Sequence, residues 1–255
     1  MWQLDLWLKI VIFLLLVIAL ARPYLYNSSI NNHKRGRDLI LAIDASGSMG
    51  ERGFDKKDVY KKKFDITLEL TEDFINQRAD DNIGIVLFGT FAYTLSPLTY
   101  DLSSLLSLLL LTDIGIAGES TAIGDAIVQA IRSLSYGDAK NRVVILLSDG
   151  HHNAGTISPR DALAMANRVG IKIYTIGIGG SYDKALLDTI AKESGAISYS
   201  ALSADELSRI YEDIQKLEPS DIRGENFLNR YMLFVYPLGL AFGILFFWVM
   251  SRGRE

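Results

Sequence analysis

The stretch Leu39-Ile40-Leu41-Ala42-Ile43-Asp44-Ala45-Ser46-Gly47-Ser48-Met49 decides the reading of this chain. Its apolar half reads as a strand of a parallel sheet, covered on both faces. Gly47 then lets the chain turn back sharply, so the carboxylate of Asp44 and the hydroxyls of Ser46 and Ser48 converge at the strand's carboxyl end. Such hard oxygens suit magnesium, which takes octahedral oxygen ligands, keeps some of its waters and is usually held by one or two carboxylates plus neutral oxygens. Taken alone, Asp-x-Ser-x-Ser also describes ordinary turns in which Asp and Ser bond their own backbone.

Two further stretches supply the context. Arg142-Val143-Val144-Ile145-Leu146-Leu147 repeats the buried strand and ends in Ser148-Asp149-Gly150, while Gly118-Glu119-Ser120-Thr121-Ala122-Ile123-Gly124-Asp125-Ala126 is a polar loop entering a helix. In a doubly wound sheet, ligands collect at the carboxyl ends of the strands where the strand order reverses, so these three loops can meet. The residues resemble the von Willebrand factor A domain and its metal-ion-dependent adhesion site, whose pattern is Asp-x-Ser-x-Ser, a downstream Thr and an Asp after a later strand. The resemblance implies a metal site of Asp44, Ser46, Ser48, Thr121 and Asp149, with the hydroxyls as direct ligands and the aspartates direct or water-bridged. It implies Mg2+ as the ion, with Mn2+ or Ca2+ as alternatives. The segment from Asp149-Gly150-His151-His152-Asn153-Ala154-Gly155 to Pro159, with the flanking hydrophobic segments, is similar more narrowly to membrane-anchored bacterial A-domain proteins of the BatA type, from aerotolerance operons. Ser148 stands where those proteins commonly carry Thr, and keeps the hydroxyl.

Between its ends the chain alternates strand and helix patterns, which predicts a largely parallel sheet covered on both faces. Strands are expected at 82–88, 171–178 and 196–200, with a short hairpin strand at 91–95 ending at Ser96-Pro97. Helices are expected at 58–78, 101–111, 122–134, from Ser158-Pro159-Arg160-Asp161 to Arg168, at 183–193, and from the capping box Ser203-Ala204-Asp205-Glu206 to Leu217. The fold class is therefore α/β: a doubly wound, mostly parallel sheet with one short antiparallel edge strand, flanked by amino- and carboxyl-terminal transmembrane helices. The domain map is an anchor or signal-like segment at 1–22, a linker at 23–36, the A domain at 37–217, a linker at 218–230, a transmembrane helix at 231–250 and a short basic tail at 251–255.

The hydrophobic content, 49% of 255 residues, exceeds what an ordinary soluble domain of this size needs, and the excess sits at the two ends. Residues 231–250 carry no charge, have Tyr231, Tyr236 and Trp248 placed as an interfacial belt, and are followed by Ser251-Arg252-Gly253-Arg254-Glu255. At the amino end, Ile10 to Ala21 is apolar but Lys9 and Asp5 precede it. An uncleaved anchor with Lys9 snorkelling competes with a signal peptide cut after Ala19-Leu20-Ala21. Local charge counting places the domain in the cytoplasm; the resemblance places it outside the inner membrane, which is the reading adopted. The chain has no cysteine, excluding disulfides, thiolate metal sites and cysteine catalysis.

Other features read as ordinary surface. His151-His152 are adjacent loop residues with no third ligand. The cluster Lys56, Lys57, Lys61, Lys62 and Lys63 is broken by Asp55, Asp58 and Asp65, and with a net charge of −4 it reads as a solvated helix face, so nucleic acid is excluded as a partner. Glu119 and Asp125 fit either orientation of metal-bound waters or helix amino-terminal electrostatics. Gly177-Ile178-Gly179-Gly180 lacks the dinucleotide spacing. The expected function is a non-enzymatic adaptor whose magnesium accepts an acidic side chain from a protein partner. The BatA-type resemblance implies related A-domain membrane proteins, membrane lipid and a MoxR-type AAA+ ATPase as partners, in envelope stress tolerance or complex maturation. A magnesium-dependent phosphohydrolase competes, but needs a carboxylate where Ser46 stands. The third reading is a structural membrane scaffold with a vestigial site, against which all five ligand positions are filled.

Overall fold

The computed structural model describes the chain except residues 1, 28–34, 79–80, 140, 215, 217–219, 222–228 and 253–255; side chains are also left undescribed at 2–5, 24–27, 35–36, 220–221, 229–232 and 251–252. In chain order, α1 (Trp2–Leu20) and β1 (Tyr24–Asn27) precede β2 (Arg35–Gly36) and β3 (Asp38–Asp44). Then come α2 (Lys63–Asn76), β4 (Asn82–Phe88), β5 (Ala92–Thr99), α3 (Leu102–Leu109), α4 (Ile123–Leu134) and β6 (Arg142–Ser148). The order closes with α5 (Pro159–Arg168), β7 (Lys172–Ile178), α6 (Lys184–Glu193), β8 (Ser198–Ala201), α7 (Ala204–Ile214), β9 (Ser220–Asp221), β10 (Asn229–Met232) and α8 (Val235–Arg252).

The chain forms two compact units, His33–Arg223 and a pairing of the two ends, Met1–Asn32 with Gly224–Glu255. In the larger unit six strands form one sheet in the order β5-β4-β3-β6-β7-β8, all parallel except the β4–β5 pair. After β3 the chain builds β4 and β5 on one side, then returns to place β6 on the other, so the strand order reverses at β3. The switch point therefore lies between the carboxyl ends of β3 and β6.

Alternation along the buried strands supplies both cores. Leu39, Leu41 and Ile43 of β3, with Ile145 and Leu147 of β6, face a core closed by Phe64 and Phe74 of α2 and Leu207 and Tyr211 of α7. Ile40, Ala42, Val144 and Leu146 face the opposite core, closed by Ile123, Ile127 and Ala130 of α4, Leu163 of α5 and Ile190 of α6. Every residue of β3 is buried, as a strand sandwiched between helical layers requires.

Several expectations need correction. The helix expected from 58 begins at Lys63, because Asp55 accepts a hydrogen bond from the Lys57 amide at 2.9 Å and Asp58 one from the Tyr60 amide at 3.1 Å. These local turns outcompete the helix, and an Arg52–Lys62 bridge ties off the loop. The edge strand β5 runs through Pro97 to Thr99, with register shifts against Ile83 and Ile85; proline is tolerated there because its missing N–H lies at the sheet edge. The expected linker at 23–36 contains β1 and β2, and Leu217 lies outside the described residues.

The two membrane-spanning helices expected at 1–22 and 231–250 are also corrected. Among the described residues no helix is long and apolar enough to cross a membrane. Asn229–Met232 pairs antiparallel with Tyr24–Asn27 as a strand, so α8 starts only at Val235, and in α1 the uninterrupted apolar run starts after Lys9. Both fall short of the roughly 20 apolar residues a span needs. Within the smaller unit the ammonium of Lys9 lies 5.6 Å from the centre of the Trp248 ring.

Candidate metal centre

The turn after β3 is built by its own hydroxyl and glycine chemistry. Ser46 is extended (φ −72°, ψ 170°) and its carbonyl accepts from the Met49 amide at 3.1 Å, opening a single 3-10 turn over Gly47–Gly50 that the buried Met49 side chain pins to the core. The loop before α4 is tied to this turn, since the Gly47 amide donates to the Glu119 carbonyl at 3.1 Å and the Gly115 amide to the Ala45 carbonyl at 2.7 Å. From the third side, Asn153 grips Thr121 twice: its Oδ1 accepts from the Thr121 amide at 2.8 Å and its own amide donates to the Thr121 carbonyl at 3.1 Å. A Cβ on Gly150 would stand 2.8 Å from Thr121 Oγ1, so only glycine lets the β6 loop approach this closely.

The five expected residues come together. Ser46 Oγ lies 3.1 Å from Ser48 Oγ and 3.2 Å from Thr121 Oγ1, and Ser48 Oγ donates to Asp149 Oδ1 at 2.5 Å. Asp44 is fully buried beneath them, its Oδ1 accepting from the Ser46 amide at 2.9 Å and its Oδ2 from Ser148 Oγ at 2.6 Å. The second oxygen of Asp149 accepts from Lys63 Nζ at 2.9 Å. Above the cluster opens a cleft of about 220 Å³, lined by Ser48, Glu51, Lys63, Glu119, Thr121, Asp149, Gly150, His151, Asn153 and Ser181.

This donor set fits a small hard cation. Adjacent ligands of an octahedral Mg2+ at 2.0–2.1 Å are about 3 Å apart, which matches the spacing of the Ser46 hydroxyl from those of Ser48 and Thr121. Among the described residues no group of three or more His, Cys, Asp or Glu side chains is arranged to hold a metal, so a cation at this centre would rest on the neutral hydroxyls. Both carboxylates spend their oxygens on protein donors, which favours water-bridged roles for Asp44 and Asp149.

Burial pushes the Asp44 carboxyl up to about 6, against the hydrogen bonds from Ser148 and Ser46, and the nearby Asp149 charge adds to the rise. Burial works against the Lys63 ammonium, but its hydrogen bonds to Glu51 and Asp149 outweigh this and hold it above the usual lysine range.

Sequence reasoning missed several parts of this centre. Lys63 reads as one of five surface lysines; it is 6% exposed, while Lys57 and Lys61 do pair with Asp205 and Glu69 in solvent. The loop aspartates mark where α2 starts, but not which of the five lysines is buried. Glu119 lines the cleft, whereas Asp125 clamps the following loop, accepting from the amides of Thr156 at 3.0 Å and Ile157 at 2.8 Å. His151 is exposed at the cleft, whereas His152 is partly buried with Nδ1 shielded from solvent.

Comparison with known proteins completes the description. A model of the von Willebrand factor type A domain matches residues 38–213. A protein of Borreliella burgdorferi is 27% identical over 257 residues, covering 91% of this chain and 73% of that protein. An aerotolerance-related membrane protein from Bacteroides fragilis shares the fold, with a TM-score of 0.61 at 21% identity over 71% of this chain and 98% of that one. Proximal thread matrix protein 1 from the mussel byssus, in a structure with a zinc-occupied MIDAS motif, has a TM-score of 0.61 at 25% identity, over 82% of this chain and 51% of that one.

Proposed function

Because the chain belongs to the von Willebrand factor type A domain family, we propose that it is a non-enzymatic binding module whose partner docks on a divalent cation held at the carboxyl ends of β3 and β6. The observation that carries this reading is the Ser46 hydroxyl standing at cation-ligand spacing from both the Ser48 and the Thr121 hydroxyls beneath an open cleft. In this assignment those hydroxyls hold the ion, Asp44 and Asp149 orient its waters, and a bound Mg2+ supplies an open coordination position for an acidic side chain of the partner. Manganese or calcium is an alternative ion, and the zinc in the mussel protein supports a site of divalent character. Phe91 and Ile116, both about half exposed on the loops beside Thr121, provide apolar surface for the partner to cover.

The finer assignment rests on the resemblance to BatA-type proteins: the partners are related A-domain membrane proteins and a MoxR-type ATPase, and the domain lies on the extracytoplasmic side of the bacterial inner membrane. Membrane attachment is supported by the exposed apolar side chains of α1 (Trp7, Phe13, Leu14) and α8 (Phe242, Phe246, Phe247). A phosphohydrolase is disfavoured because Asp44 is fully buried with both oxygens bonded, and so cannot attack a phosphorus atom.

Calorimetric titration with Mg2+ and Mn2+ tests the reading. The chain should bind one divalent ion, and Asp44→Asn, which keeps the hydrogen-bonding shape but removes the charge, should weaken binding while circular dichroism stays unchanged. Equal affinity in the variant would remove the centre from this assignment. A phosphatase activity that copurified with the chain and vanished in Asp44→Asn would favour the enzyme instead.

A further inference from the structure

We propose that Lys63 is a resident counter-cation of the centre: its ammonium holds Asp149 in place when no metal is bound and limits the affinity with which a divalent ion enters. This rests on the metal-centre reading. The side chain is 6% exposed and reaches the centre from the first turn of α2. Its Nζ lies 2.9 Å from Asp149 Oδ2 and 2.5 Å from Glu51 Oε2, and its amide donates to the Glu51 carbonyl at 2.8 Å. Its carbonyl accepts from Thr67 Oγ1 at 2.8 Å, fixing the first turn that aims it.

Three charged side chains at the centre are buried: Asp44, Asp149 and Lys63. Two carboxylates this close repel one another, and the ammonium relieves that repulsion when the centre is empty. The same ammonium opposes an incoming divalent ion, because it already occupies one oxygen of Asp149.

The experiment uses the purified 255-residue chain, Mn2+ as the probe and electron paramagnetic resonance to count free ion. Lys63→Met should tighten Mn2+ binding by roughly tenfold. It should also lower the melting temperature of the metal-free chain, with the loss recovered at saturating Mn2+. Lys63→Gln, which keeps a donor near Asp149 without the charge, should show the same tightening and serves should the Met variant not fold. Lys63→Arg and Lys61→Met should bind like wild type. Unchanged or weaker Mn2+ binding in folded Lys63→Met and Lys63→Gln would overturn the role of Lys63, as would equal tightening in Lys61→Met. Absence of Mn2+ binding to the wild-type chain would overturn the metal centre itself, a result distinct from the other two.

Discussion

At the scale of single residues, the proposed assignment separates expected ligands from the groups that would orient them. Ser46→Ala, Ser48→Ala and Thr121→Ala each remove one neutral oxygen from the proposed centre and should weaken Mg2+ binding by roughly 10- to 100-fold with little change in melting temperature. Wild-type affinity in all three, read by calorimetry, would show that the hydroxyls do not hold the ion. Asp149→Ala is a poorer probe, because it leaves the Lys63 ammonium with only Glu51, whose side chain is 62% exposed.

The pH dependence follows from Asp44. In the metal-free chain its carboxyl is raised from 3.8 to about 6, chiefly by burial, so the folded state binds the proton more tightly than the unfolded one. That contribution to stability is fully present below pH 3.8 and is lost as pH rises through about 6. A cation favours the ionised form, so its affinity should fall as pH drops through 6, and loading near pH 6 should release a proton. Titration in two buffers of different ionisation enthalpy should give different heats near pH 6 and equal heats near ~pH 8. Buffer-independent heats at both would show that Asp44 is already ionised in the metal-free chain.

At the scale of elements, the helices hold the sheet and position the loops. Phe74 of α2 is 1% exposed, with its ring 4.4 Å from that of Tyr211 on α7 and the Arg78 guanidinium 4.1 Å from its centre. Phe74→Ala should cost about 3–5 kcal/mol in denaturant unfolding, and a loss under about 1 kcal/mol would mean the α2–α7 seam is not part of the core. Asp125 acts on the other side, where it clamps the amides of Thr156 and Ile157 from the first turn of α4. Asp125→Ala should speed hydrogen exchange at 153–157 and weaken Mg2+ binding, since Asn153 then positions Thr121 less firmly. Unchanged exchange there would assign the loop's order to its other contacts.

At the scale of the whole molecule, the two units make separate predictions. The unit His33–Arg223 contains both core clusters and all five centre residues, so expressed alone it should fold, unfold cooperatively and bind Mn2+ like the full chain. An aggregated or non-cooperative fragment would show that the paired ends contribute to its core. The full chain should sediment with membranes through its apolar ends, and the fragment should not. Protease added to intact spheroplasts reads the side on which the domain lies: digestion supports the extracytoplasmic assignment, and protection until lysis overturns it.

The sequence by itself determined the fold class and the positions of the oxygen donors, because both are local signals. A fully buried parallel strand must be apolar throughout, as 39–43 and 143–147 are, and a Gly-containing turn at its carboxyl end leaves the hydroxyls of Ser46 and Ser48 few directions in which to point. Only the tertiary structure decided which charge sits against Asp149. Five lysines in eight residues carry no mark of which one is buried; that was settled when two aspartate turns delayed α2 to Lys63 and the packing of its first turn aimed one side chain into the cleft. The same holds at the ends of the chain, where composition at 229–232 gives no sign that the backbone pairs with 24–27 and shortens α8. Strand pairing joins residues far apart in sequence, so it is legible only once the chain has folded.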